Sequence, residues 1–132
     1  MFFSAYFVCL LALLLMDGIW LGVMGKRFYA PQLEHLMAKE VVWWAAALFY
    51  LIYALGLTSL IIYPLVFTAG CPVKALWMGA LFGLTAYATY DLTNLATLNG
   101  WPIRVVVVDL IWGTFLSGLT SAISFLLVSY LR

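Results

Sequence analysis

Apolar positions in this chain neither alternate nor follow a narrow stripe; they run on in four long blocks, at about 2–25, 41–67, 73–98 and 104–130. Each block exceeds the ~20 residues that an α-helix needs to cross ~30 Å of hydrocarbon. Runs such as Cys9–Met16 and Val105–Trp112 lack the apolar–polar alternation of a transmembrane β-strand, which argues against a barrel. The pattern therefore predicts an all-α polytopic membrane protein, a single domain over 1–132 with four transmembrane helices. Short connections make successive helices antiparallel neighbours, in an up-down-up-down bundle.

The breaks between blocks differ in character. Loop one, about 25–40, holds five of the eleven charged residues, Pro31 and the only histidine, His35. A short amphipathic helix lying on the membrane surface is expected over 32–40. Loop two is tight, with Gly70 and Pro72 as breakers, and loop three turns at Asn99-Gly100 before Pro102 opens the last helix. No Lys or Arg precedes the first apolar run and no small-residue cleavage site follows it. It reads as a retained helix rather than a signal peptide.

Composition narrows the class. The chain is 67% hydrophobic and 8% charged, against roughly 25% charged residues in a soluble domain. A net charge of +1 gives no pull toward nucleic acid. Lys26, Arg27, Lys39 and Arg104 share the face of loops one and three, whereas Lys74 and Arg132 share the other. This excess places loops one and three in the cytoplasm, with the termini outside, in a bacterial inner membrane. Trp20, Trp43, Trp44 and Trp101 gather near the loop-one face and Trp77 near the other, as interfacial belts do. Cys9 and Cys71 form no metal motif and read as free thiols.

Three aspartates stand inside these blocks: Asp17, Asp91 and Asp109. An ionisable side chain in hydrocarbon costs about 3 kcal/mol or more, so each marks a candidate functional site. At ~1.5 Å per residue they lie ~12, ~10 and ~8–9 Å inside their helices, all measured from the loop-one face. The three therefore fall in one layer. Tyr87, Tyr90, Asp91, Asn94 and Thr97 form a polar wedge on the third helix, and Asp109, Gly113, Ser117, Thr120 and Ser124 a polar or small stripe on the fourth. The second helix carries no charge and, through Tyr53, Gly56 and Tyr63, would supply a wall.

Candidate ligand-binding or proton-coupling residues are thus Asp17, Asp91, Asn94, Asp109, Tyr87, Tyr90, Trp20 and Trp112. Arg104, about one turn before Asp109, is the candidate charge partner. Carboxylates grouped in a low dielectric cannot all stay ionised. Gly18-x-x-x-Gly22, followed by Gly25, reads as a smooth packing surface on the first helix. His35 reads as a solvated loop side chain. The twin strings Asp17-Gly-Ile-Trp20 and Asp109-Leu-Ile-Trp112 hint at an internal repeat, and inverted repeats place sites between the repeated helices.

The run from Tyr90 to Leu98 (YDLTNLATL), then Gly100-Trp101-Pro102, Val108-Asp109 and Trp112-Gly113, resembles the signature of a bacterial family of small four-helix membrane proteins held as a domain of unknown function. Asp17-Gly-x-Trp20-Leu-Gly22 is similar to that family as well. The resemblance spans essentially the whole chain and implies an integral inner-membrane protein; it carries no catalytic roles.

Three function classes remain open. The leading one is binding or transport of a small amphipathic or cationic molecule, with proton coupling, since carboxylates beside aromatic faces suit a cation. A path across the bilayer would need a homodimer, in contact with membrane lipid. The second is a lipid-modifying membrane enzyme or its accessory subunit, its carboxylates holding a divalent cation against a phosphate. Against it, they lie on three helices and no D-x-x-D pair is present; no dedicated metal site or other cofactor is expected. The third is a structural or assembly protein whose polar layer fixes helix register.

Overall fold

The computed structural model describes residues 1–132 and contains four long helices: α1 (Phe2–Leu33), α2 (Trp43–Val66), α3 (Pro72–Thr97) and α4 (Ile103–Leu131). Three of them, α1, α2 and α4, are long and apolar enough to cross a membrane. The exception, α3, carries Thr85, Thr89, Tyr90, Asp91, Thr93 and Asn94 in its second half. Several of its outward hydroxyls are satisfied locally: Thr85, Thr89 and Thr97 donate to the carbonyls of Leu81, Thr85 and Thr93, one turn back. Such back-bonding lets threonine face lipid without an unpaired donor. Only 28 of 132 residues are buried, and large exposed side chains such as Phe7, Leu15, Ile52, Leu81 and Ile111 are apolar. A surface of this kind is built for hydrocarbon.

Contacts fix the directions. Phe2 meets Tyr63 and Asp17 meets Tyr50, so α1 and α2 run oppositely. Tyr53 meets Tyr87 while Gly56 faces Phe82, making α2 and α3 antiparallel, and Gly79 faces Ser121 while Gly83 faces Gly113 and Ser117, making α3 and α4 antiparallel. The bundle is up-down-up-down. Its central member is α4, which buries twelve residues against four on α1 and four on α3.

The buried stripes explain this arrangement. On α1 they are Ala5, Cys9, Leu13 and Asp17, each four residues from the next. On α3 they are Ala75, Gly79, Gly83 and Asp91. Small residues at every fourth position bring two backbones close, and dispersion then holds helices together where lipid offers no hydrophobic driving force. A Cβ on Gly83 would run into the Gly113 carbonyl and the Ser117 side chain, and one on Gly79 into Ser121. The Gly18-x-x-x-Gly22 reading is corrected here: nothing lies within 4 Å of a Cβ built at Gly18, Gly22 or Gly25. Gly18 and Gly22 sit about one residue, ~100°, around α1 from its buried stripe. The packing glycines are Gly79-x-x-x-Gly83.

The first helix also departs from expectation. It does not stop near Gly25 but continues to Leu33, and 32–40 form no separate surface helix. The helix runs on through charged Lys26 and Arg27. Continuity is kept by one wide turn over Gly25–Tyr29, in which the Ala30 amide bonds to the Gly25 carbonyl five residues back. An equivalent turn over Thr58–Ile62 in α2 bonds the Tyr63 amide to the Thr58 carbonyl. Each lies just before a proline, Pro31 and Pro64. Proline lacks an N–H and its ring displaces the carbonyl four residues earlier, so a widened turn absorbs the strain without breaking the helix.

At the loop-one face, the His35 Nε2–H donates to the Gly100 carbonyl at 3.0 Å, tying loop one to loop three. Gly100 has φ +76°, a left-handed conformation that the turn requires and that glycine adopts freely. Arg132 closes the other end by donating to the Val66 carbonyl at 2.7 Å, its guanidinium over the Phe67 ring. Cys9 and Cys71 are free thiols.

Gly83→Ala is expected to lower unfolding stability in detergent by about 1–3 kcal/mol through overpacking. Gly22→Ala is expected to leave stability unchanged or raise it by up to about 1 kcal/mol. Denaturant titration of both variants checks this; equal losses would sink the α3–α4 seam.

Candidate functional site

The bundle divides into two halves. Away from loop one, Leu13, Leu57, Ile61, Ile62, Leu65, Leu116 and Val128 form an apolar core. Toward loop one, the same helices carry Asp17, Asp91 and Asp109, which are 5%, 0% and 7% exposed. The stripe spacing of four continues into the carboxylates on α1 and on the α3–α4 seam. Their arrival in one layer follows from the packing register.

Asp17 is fully supplied with donors. Its Oδ1 accepts from the Trp112 indole N–H at 2.9 Å and its Oδ2 from the Tyr50 hydroxyl. Asp109 accepts from the Tyr29 hydroxyl at 2.5 Å, and Tyr29 in turn accepts from the Trp20 indole N–H at 3.1 Å. The Trp20 and Trp112 rings stack with centroids 4.3 Å apart and planes 7° from parallel. Each Asp-x-x-Trp string therefore serves the acid of the other helix: Trp112 reaches Asp17 directly, and Trp20 reaches Asp109 through Tyr29. Hydrogen bonds to a charged acceptor are roughly twice as strong as neutral ones.

Asp91 is different. Its carboxyl lies within hydrogen-bonding reach of Asp109 and next to the Trp101 indole. Yet both of its oxygens, and the Trp101 Nε1, are buried without a partner. Two ionised carboxylates are both acceptors only, so neither can satisfy the other.

Two cavities meet at this layer. One, of about 450 Å³, is lined by Phe49, Tyr53, Ala86, Tyr87, Tyr90 and Asp109 and opens between α2 and α3. The other, of about 140 Å³, is lined by Asp17, Trp20, Leu21, Tyr29, Tyr87, Asp109 and Trp112. Tyr87 and Asp109 belong to both. The Tyr87 ring lies flat enough against Gly113 that a Cβ there would meet its atoms, and its edge-on contact with Tyr53, 6.3 Å between centroids, closes the inner end of the larger cleft. A larger groove, of about 530 Å³ on the outer surface of α3 and α4, is lined by residues such as Leu76, Ile111 and Phe115 and carries no charged group.

Of the residues singled out from sequence, Asp17, Asp91, Asp109, Tyr87, Trp20 and Trp112 come together, and Tyr90 lines the cleft with its ring edge-on to Trp101 at 5.7 Å. Asn94 is half-buried one turn farther and lines neither cavity. Arg104 is not the partner of Asp109: it is exposed, and the donor is Tyr29. Five residues along a helix is about 140° of rotation, which turns Arg104 away. Trp20 and Trp101 belong to this site rather than to a belt, whereas Trp43, Trp44 and Trp77 are 75%, 73% and 72% exposed, as belt residues are. Of the second-helix wall, Tyr53 faces the cleft and donates or accepts with Ser117 Oγ at 2.7 Å, but Tyr63 packs at the far end against Phe2.

Sequence reasoning missed Tyr29, Tyr50 and Phe49. Tyr29 lies twelve residues after Asp17, which in a regular α-helix is about 120° away; the wide turn before Pro31 takes up about one extra residue and brings it back to the same face. The proline was the available signal.

The chain belongs to the family described as "Predicted membrane protein (DUF2177)", whose model matches residues 2–126. No curated protein and no solved structure matches it.

A double-mutant cycle of Asp17→Asn with Trp112→Phe is expected to show a coupling of about 0.5–2 kcal/mol in unfolding stability. Asp17→Asn with Trp77→Phe, at the opposite face, is expected to be additive within about 0.5 kcal/mol. Additivity in the first cycle would mean that the strap between α1 and α4 carries no energy.

Proposed function

We propose that this membrane protein binds a small amphipathic organic cation in the cleft between α2 and α3, with Asp109 as its counter-charge. One observation carries the reading: a half-open cavity of about 450 Å³ presents four aromatic rings, Phe49, Tyr53, Tyr87 and Tyr90, around a single carboxylate. Aromatic faces attract cations, more strongly when desolvated. The volume lies within the range of small-molecule sites. An opening between two lipid-facing helices suits a ligand that partitions into the bilayer first.

The remaining assignments follow from the same reading. The excess of Lys26, Arg27, Lys39 and Arg104 supports an inner-membrane protein with the cleft in the cytoplasmic leaflet and the termini outside. The charged layer stops at Asp17; beyond it Leu13, Leu57 and Leu116 are buried, and the buried polar groups there are uncharged hydroxyls. Passage across the membrane therefore calls for a second copy, so transport is the role of a homodimer and binding that of one chain. A divalent cation on the three aspartates fits less well, because both oxygens of Asp17 already accept from N–H and O–H donors.

Equilibrium binding of tetraphenylphosphonium to the detergent-purified protein tests this. Saturable binding is expected, weakened at least tenfold by Asp109→Asn, which is about 1.4 kcal/mol, and severalfold by Tyr87→Ala. Absence of saturable binding, or indifference to Asp109→Asn, would overturn the proposal.

A further inference from the structure

The unused chemistry in this layer is the Asp91 carboxyl. It is completely buried and both oxygens lack a partner; the polar groups beside it are the Asp109 carboxyl and the Trp101 indole, itself unpaired. The titratable groups around the pair are Asp17 and Tyr29 from α1 and Tyr87 and Tyr90 from α3, with Tyr53 of α2 across the cleft from Asp109 and Tyr50 of α2 bonded to Asp17. None is a cation, and Arg104 on α4 is exposed. No lysine, arginine or histidine neutralises the charge.

From this geometry we infer that Asp91 is a neutral carboxylic acid that donates its proton to Asp109, leaving Asp109 as the one exchangeable charge for which a proton and the organic cation compete. The donor inventory leads there. Asp17 receives an N–H and an O–H, one on each oxygen, as an ionised carboxylate requires. Asp109 receives one phenol on Oδ1 and has acceptor capacity left. Asp91 accepts no bond in this structure; the nearby Trp101 N–H can serve one oxygen at most, and a proton on the other lets the acid donate to Asp109. A proton on Asp91 satisfies both at once. Two adjacent carboxyls that share one proton are the arrangement that avoids two neighbouring charges in a low dielectric.

The consequence for binding rests on the cation reading above. With Asp109 ionised, the cation seats against it and no proton moves. With Asp109 protonated, its O–H bond must break and the proton must leave before the cation can be held. Asp109 lines both cavities, so the 140 Å³ cavity beside Tyr29 and Trp20 gives the proton a path on the side away from the cleft. The exchange is one proton for one cation.

The test has two independent arms. Infrared spectroscopy of the purified, ligand-free protein at pH 7 is expected to show the carbonyl band of a protonated carboxyl, absent from Asp91→Asn and insensitive to Asp17→Asn. A spectrum without that band, or a band that survives Asp91→Asn, overturns the assignment, whatever the protein binds. In the second arm, tetraphenylphosphonium affinity is expected to fall about tenfold per pH unit once Asp109 takes up its proton. Asp91→Asn, whose amide N–H replaces the acid O–H, is expected to fold and to retain the tenfold-per-unit fall, because the titrating group is Asp109, while Asp109→Asn abolishes the pH dependence. Failure of Asp91→Asn to fold, or loss of the pH dependence at both positions, overturns the neutral-acid role. Absence of binding in the parent protein strikes the cation reading alone, because the infrared band does not depend on it.

Discussion

A carboxylate inside a bilayer must be given donors, and most of the loop-one half of this bundle follows from meeting that demand. The donors to Asp17 and Asp109 come from the chain itself. Asp17 takes the Trp112 indole and the Tyr50 hydroxyl, which draws α4 and α2 against α1. Asp109 takes Tyr29, which holds the far end of α1 over α4. The stacked indoles of Trp20 and Trp112 fill the space between. Such a stack adds about 0.5–1.5 kcal/mol beyond burial, and transmembrane hydrogen bonds average about 0.6 kcal/mol each. No single bond dominates; the set fixes one register because a slip of one turn would leave two charges without donors.

The rest of the bundle makes that layer reachable. Aspartate has a short side chain, so Asp91 and Asp109 can approach only if their backbones do. The seam of Ala75, Gly79 and Gly83 against Gly113, Ser117 and Ser121 brings α3 and α4 that close. Below the seam, Cys9, Thr58 and Ser124 meet where α1, α2 and α4 converge. Small and hydroxyl residues thus do for α4 what bulk does in a soluble core: they set distance. The cleft exists for the complementary reason. Phe49 and Tyr53 on α2 stand off from Ala86 and Tyr90 on α3 at the level of the acids, while Gly56 admits Phe82 just beneath and closes the gap.

Much of this was legible in the chain. Helical rise is fixed, so the depths of Asp17, Asp91 and Asp109 could be read from their distance to the block ends, and the layer they share is where the structure has them. The donors were not legible in the same way. Tyr29 sits beyond Gly25, Lys26 and Arg27, which in sequence look like a helix end, yet the helix runs on through them. Tyr50 was one aromatic among many on an uncharged helix. Arg104 attracted attention by proximity in sequence, but rotation about α4 sends it outward. The two G-x-x-x-G strings looked alike, although their stripes differ: Gly18 and Gly22 continue into Leu14 and Lys26, whereas Gly79 and Gly83 continue into Ala75 and Asp91.

The twin Asp-x-x-Trp strings turn out to have a mechanical reading. Residues three apart on a helix share a face. Two antiparallel helices that each carry an acid and an indole at that spacing will set each acid opposite the other's indole, as a local twofold axis would. Asp17 with Trp112 realises one half of this directly. The other half is broken by Tyr29, inserted between Trp20 and Asp109. That insertion is what separates the two acids in character. Asp17 ends with both oxygens occupied and faces inward to the strap, while Asp109 keeps acceptor capacity and a wall on the cleft. The asymmetry arises from the widened turn before Pro31, so a proline near the end of α1 determines which buried carboxylate stays available.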